Sequence, residues 1–140
     1  MAGFMMFSSA IILGLISLLH YYWAFGGRWG VHVVMYAREG EHQPAHYPGA
    51  AATIIVATLI LLAGFLLPIQ GGYVPSIEAN LWTRSGCIVC AFVFVVRAIG
   101  EFKYLGFFKR VRHSAFSKYD TWLYSPLCLY LGITFVLILV

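Results

Sequence analysis

The sequence predicts an all-α membrane protein: a four-transmembrane-helix bundle with an interfacial amphipathic segment between helices 3 and 4. Three observations predict it. Of the 140 residues, 61% are hydrophobic and only 10% are charged, whereas a soluble domain carries roughly 25% charged residues. Four apolar runs each approach the ~20 residues that a helix needs to cross the hydrocarbon layer. Basic residues also crowd into two of the three connecting loops. A soluble fold of this length leaves too much surface exposed to hide so much apolar material, so the chain reads as one membrane-embedded domain over residues 1–140.

The first run, residues 4–25, has no basic residue ahead of it and no small-x-small cleavage site behind it. It is expected to be a retained helix that ends at Gly26-Gly27. The second, 49–68, opens through Pro48-Gly49 and is expected to stop at Pro68 and Gly71-Gly72. The third, 81–102, has an uncharged stretch too short to span alone and must take in Arg97. The fourth, 121–140, follows Asp120 and carries Pro126, which predicts a kink near its start and frees the Trp122 carbonyl. Ala10 and Gly14 on the first helix, and Thr53 and Ala57 on the second, have the one-turn spacing that lets membrane helices approach closely.

Charge sets the direction. Arg28 and Arg38 lie in the first loop, Arg84 alone in the second, and Lys103, Lys109, Arg110, Arg112 and Lys118 in the third. The first and third loops share a side, so the positive-inside rule makes them cytoplasmic and puts both termini outside. This asymmetry accounts for the net charge of +4 without a nucleic-acid partner. Tyr21, Tyr22, Trp23 and Phe25, with Tyr119, Trp122 and Tyr124, form the expected aromatic belt at the same end.

His20, Arg97, Glu101 and Asp120 all fall at that cytoplasmic end. Arg97 and Glu101, four residues apart, share a helix face and can pair. Ionisable groups in a span are costly and face the bundle interior or water. A polar pocket is one reading, with His20 and Glu101 as proton donors or acceptors and Arg97 as an anion clamp. The candidate ligand-binding residues are then His20, Trp23, Arg97, Glu101 and Asp120. The other reading is structural: Arg97 snorkels with Glu101 neutralising it, His20 is bonded within its helix, and Asp120 caps the fourth span with Ser117.

In the third loop, Tyr104, Phe108, Val111 and Ala115 recur at helical spacing while Lys103 and Arg110 fall on another face. This is the pattern of a segment lying in the cytoplasmic interface against anionic lipid. In the first loop, His42 and His46 have helical metal-ligand spacing, but Pro44 between them opposes a helix and nothing completes a tetrahedral set, so no metal is expected. No cofactor is expected either. Cys87-Ile-Val-Cys90 has the spacing of a dithiol redox pair, as in quinone-linked thiol oxidoreductases. With only Cys128 besides, no second pair exists to pass electrons onward, and cysteine also packs well as a small apolar residue.

Three stretches carry a resemblance: His20-Tyr-Tyr-Trp23-Ala-Phe-Gly26-Gly27, Arg97-Ala-Ile-Gly100-Glu101-Phe-Lys-Tyr-Leu-Gly106-Phe-Phe-Lys109, and Phe116-Ser-Lys-Tyr-Asp120-Thr-Trp-Leu-Tyr-Ser125-Pro126-Leu-Cys128. Together they resemble a family of small bacterial four-span membrane proteins known only as a domain of unknown function. The resemblance covers essentially the whole chain. It implies a bacterial source and the cytoplasmic membrane, and it brings no catalytic role with it.

Three functional classes remain. The first is a multi-pass protein that binds a small amphipathic ligand, membrane lipid or partner helix in the cytoplasmic-side pocket. The second is a membrane enzyme, either thiol-quinone redox through Cys87 and Cys90 or acid-base chemistry on a lipid-like substrate through His20 and Glu101. The third is an accessory or immunity-type protein that docks to a membrane-protein partner, with homo-oligomers also compatible. Transport is poorly served, because no Gly/Pro-broken pair of spans marks a midplane site.

Overall fold

A computed structural model describes residues 1–30, 49–100 and 120–140, with the side chains of Asp120 and Thr121 outside the description. Among these residues there are four α-helices and no strand. They are α1 (Ala2–Ala24), α2 (Ala50–Gln70), α3 (Leu81–Ile99) and α4 (Ser125–Leu137). A single π-helical turn, Asp120–Tyr124, leads into α4. The first three helices are long and apolar enough to cross a membrane, and the fourth is a shorter apolar helix.

Helix ends follow from local chemistry. Past α1, the Gly27 N–H donates to the Tyr22 carbonyl and the Gly26 N–H to the Trp23 carbonyl. This is the Schellman pattern, and Gly26 supplies its positive φ of 96°. The same pattern closes α2, with Tyr73 N–H on the Pro68 carbonyl and Gly72 N–H on Ile69. Pro68 therefore does not stop the helix as expected; it lies inside, and α2 runs on to Gln70. Only one amide bond is lost there, and a membrane helix can re-satisfy a freed carbonyl locally.

The start of α3 is fixed by Asn80, whose side chain accepts from the Trp82 and Thr83 N–H groups while Thr83 Oγ1 accepts from the Asn80 N–H. This reciprocal cap satisfies amides that would otherwise be orphaned at the helix start. Gly100, at φ 74°, ends α3 three residues short of the sequence expectation, and its N–H donates to the Val96 carbonyl. At the head of α4, the expected proline kink is replaced by the π turn. Pro126 sits in the first turn of the α-helix, where a missing N–H is harmless. The cap expected of Ser117 and Asp120, the amphipathic segment and the His42/His46 loop lie outside the described residues.

The helices alternate in direction. Phe7 of α1 packs edge-on against Tyr73 beyond α2, with ring centroids 5.0 Å apart. Thr83 Oγ1 of α3 donates to Gln70 Oε1 of α2 at 2.9 Å. Ile138, just past α4, lies beside Gly71. The most extensive packing is within two hairpin-like pairs, α1 with α2 and α3 with α4. Each helix gives two residues to one core: Met6 and Leu13, Ala63 and Leu67, Cys87 and Ala91, Leu131 and Phe135.

Small residues set the close approaches, though not all of those expected. Ala57 is buried and its carbonyl accepts from Ser17 Oγ at 2.7 Å, while Thr53 is buried one turn away. Opposite Ala10 stands Gly64, where an added Cβ would lie 3.5 Å from the Ala10 carbonyl oxygen. Gly14 has open space around it and takes no part. Between α3 and α4 the contact is Gly132, where a Cβ would come within 2.9 Å of Val95 Cγ2.

Two hydroxyl contacts join α1 to α4 across the bundle. Ser9 Oγ donates to Thr134 Oγ1 at 3.0 Å, and Thr134 donates onward to the Tyr130 carbonyl at 2.9 Å. Ser8 Oγ lies 2.8 Å from the Tyr130 hydroxyl and also 2.8 Å from the Phe4 carbonyl. Since Ser8 has one proton and a carbonyl can only accept, Tyr130 is the donor when Ser8 bonds Phe4.

Candidate functional site

The contacts just described bring the start of α1, the end of α2, the start of α3 and the end of α4 together. The opposite end therefore gathers the last turn of α1, the start of α2, the last turn of α3 and the head of α4. His20, Trp23, Arg97 and Asp120 belong to this second end, as the sequence reading required.

His20 is half-buried, and its Nδ1 donates to the Ile16 carbonyl at 2.8 Å. Because a carbonyl can only accept, this bond places a proton on Nδ1 and leaves Nε2 without a partner among the described residues. The imidazole meets the Trp23 ring edge-on, with centroids 5.2 Å apart and planes at 64°. Trp23 is held in turn, because its Nε1 donates to the Trp29 carbonyl at 2.9 Å. The chain folds back there on the Gly26 turn, so the backbone after the helix fixes the indole and the indole supports the imidazole. His20 is thus bonded within its helix, as the structural reading held, and its second ring nitrogen takes no partner from the described residues.

On the neighbouring face of α1, the Tyr21 hydroxyl donates to Thr58 Oγ1 of α2 at 2.8 Å, because Thr58 itself donates to the Ile54 carbonyl. Arg97 lies half-buried in the last turn of α3. Of the five candidate residues, then, the structure joins His20 to Trp23 directly and sets Arg97 at the same end on another helix. Glu101 and the Asp120 side chain lie outside the described residues.

The cysteines are free thiols. Cys87 is wholly buried in the core shared by all four helices, and Cys90 is half-buried. A reactive thiol needs access and an environment that favours thiolate. Cys87 has no access in this packing and belongs to the same buried cluster as Ala91 and Leu67.

One residue that sequence reasoning passed over stands out at the same end. Ser125, the first residue of α4, is 0% exposed, and its hydroxyl has no hydrogen-bond partner among the described residues. A serine inside a helix ordinarily bonds the carbonyl four residues back. Here that carbonyl belongs to Thr121, inside the π turn, where the backbone is wound one residue wider. The only sequence signal was a Ser-Pro pair at the head of an apolar run. At the far end, a hollow lined by Met1, Ala2, Phe4, Met5 and Leu137 is almost wholly apolar and offers no chemistry.

No characterised protein and no solved structure matches the chain. A family model does match, over residues 13–135, and so takes in the second half of α1, all of α2 and α3, nearly all of α4 and each of the candidate residues. The chain belongs to the family described as protein of unknown function, DUF3995.

Proposed function

We propose that this chain is a multi-pass protein of the bacterial cytoplasmic membrane, both termini outside, that binds an amphipathic, lipid-like molecule by its anionic headgroup. The observation that carries the reading is the braced pair of His20 and Trp23. An imidazole with Nδ1 fixed on its own helix presents Nε2 as an acceptor in one orientation, fit to take a hydrogen bond from a headgroup hydroxyl, and preorganisation of that kind lowers the entropic cost of binding. Arg97, half-buried at the same end, supplies the charge that an anionic headgroup needs. The apolar spans leave the rest of such a molecule in hydrocarbon. Lys109, Arg110 and Arg112 would concentrate anionic lipid beside the site.

The test is retention of lipid by the purified protein. Native mass spectrometry after detergent extraction should find phosphatidylglycerol bound to the wild-type chain. Arg97→Ala with Glu101→Ala should lose it while keeping helical circular dichroism. A double variant that retains lipid normally ends the proposal. A cysteine at position 110, labelled by an impermeant maleimide in intact cells, would reverse the assigned orientation.

A further inference from the structure

We infer that Ser125 is a further ligand-binding residue of the proposed site: its hydroxyl donates a hydrogen bond to a phosphate oxygen of the headgroup, reached when the π turn Asp120–Tyr124 opens. The inference rests on the reading above. The Ser125 hydroxyl is buried at 0% exposure with no partner among the described residues. Buried polar atoms are almost always bonded, so an exception calls for a ligand, a strain or a function to account for it. Every other hydroxyl in the buried set is accounted for by a named acceptor or donor. Ser9 bonds Thr134, Ser17 bonds the Ala57 carbonyl, Thr53 bonds the Gly49 carbonyl, and Thr83 bonds Gln70 and Asn80.

Position gives the orphan a role. The antiparallel register that sets Gly132 against Ala91 and Val95, and stacks Phe135 on Phe94, sets Ser125, two turns nearer the His20 end, level with the close of α3, from Ala98 onward. Ala98 is itself 1% exposed, and Arg97 stands in the same turn. Ser125, with no exposure, thus stands at the head of α4 near the level at which α3 closes, and Arg97 lies in that closing turn. Chemistry gives the ligand class. A lone O–H in apolar surroundings is a donor in want of an acceptor, and phosphate oxygens are the strongest acceptors a membrane offers next to a guanidinium.

Local structure gives the access. Ser125 is sealed as it stands, so an oxygen reaches it only if the backbone beside it moves. The adjoining π turn is the segment with room to move, since π turns are marginal insertions found often at functional sites. Pro126 has no N–H, so the Trp122 carbonyl lacks the amide that would lock this turn into α-helix.

The experiment measures quenching of tryptophan fluorescence by brominated phosphatidylglycerol in phosphatidylcholine vesicles, with the full chain reconstituted. A second arm adds sn-glycerol 3-phosphate to the chain in detergent, to tell a lipid headgroup from a free phosphate. Ser125→Ala should weaken phosphatidylglycerol binding by about tenfold or more, as loss of a hydrogen bond to a charged group does. Ser125→Thr, which keeps the donor, should bind as wild type does. Arg84→Ala, at the far end, should leave binding unchanged. Unaltered affinity in Ser125→Ala, with binding lost in Arg97→Ala, overturns this inference and leaves the lipid reading in place. Unaltered affinity in Arg97→Ala and His20→Ala overturns the reading itself. Equal competition by sn-glycerol 3-phosphate would overturn the lipid as the source.

Discussion

Removing the Ser125 hydroxyl should make the lipid-free protein more stable, not less. A buried polar atom without a partner costs about 1–3 kcal/mol in desolvation. The unfolded reference here stays in detergent or lipid, where a hydroxyl finds some partner along its own helix, and that keeps the figure from shrinking to zero. Ser125→Ala removes one oxygen at a site with no exposure, so the cavity it opens is smaller than a methyl group and its penalty is minor. Gain minus penalty leaves on the order of 1 kcal/mol in favour of the variant. For a chain of this length that is a rise of about 2–4 °C in the unfolding midpoint.

A thiol-reactive dye suits the assay, because Cys87 is wholly buried and reports loss of the core. Ser9→Ala is the matched control, since Ser9 is as buried but donates to Thr134. It should lower stability by about 0.6 kcal/mol, the mean for interhelical hydrogen bonds in a membrane protein. Opposite signs for the two serines confirm that one hydroxyl is bonded and the other is not. A midpoint for Ser125→Ala that falls as Ser9→Ala does would refute the reasoning, because Ser125 would then be holding a bond.

Four further outcomes are expected. Gly132→Ala should destabilise by about 1–3 kcal/mol, because its methyl would press on the stiff Val95 side chain; an unchanged thermal midpoint would show that α3 and α4 are not in close contact. Gly14→Leu should be tolerated and Gly64→Leu should not, since only Gly64 faces another helix closely; size-exclusion profiles in detergent distinguish them. Cys87 should resist maleimide until the protein is denatured, and rapid labelling in the folded state would restore the case for thiol chemistry. His20→Asn should weaken phosphatidylglycerol retention more than Trp23→Phe, because the first loses Nε2 while the second keeps an aromatic edge against the imidazole.

The helices were legible because hydrocarbon thickness fixes their length and apolar residues show it. The expected 81–102 and the observed Leu81–Ile99 differ only where Gly100 takes a positive φ, a choice that depends on the chain beyond it. Pro68 misled for a physical reason: inside the last turns of a helix a proline costs one amide bond, to the Gly64 carbonyl, while the turn that ends α2 is closed further on by the Gly72 and Tyr73 N–H groups. The Asn80 cap escaped notice because its reciprocal partner is Thr83, not the Glu or Gln that usually marks one.

Within the candidate site, topology placed His20, Trp23 and Arg97 at one end from the sequence alone. What the sequence could not disclose was the state of individual atoms. That, among the described residues, Nδ1 of His20 is engaged while Nε2 is not, and that Ser125 finds no acceptor there, depends on winding and distance. No pattern of residue types encodes them.

The hydroxyl contacts of Ser8 and Ser9 with Tyr130 and Thr134 bear on how the molecule assembles. Each well-packed pair, α1 with α2 and α3 with α4, can form as a unit in the bilayer before meeting the other. Greasy surfaces alone would let the two units dock in many rotations, since lipid tails are as good a neighbour as leucine. A unit that docks with Tyr130 turned outward strands a phenol in hydrocarbon, so the hydroxyls select one mutual rotation from many. Separately expressed halves, cut between Tyr73 and Asn80, should for that reason find each other in the correct orientation.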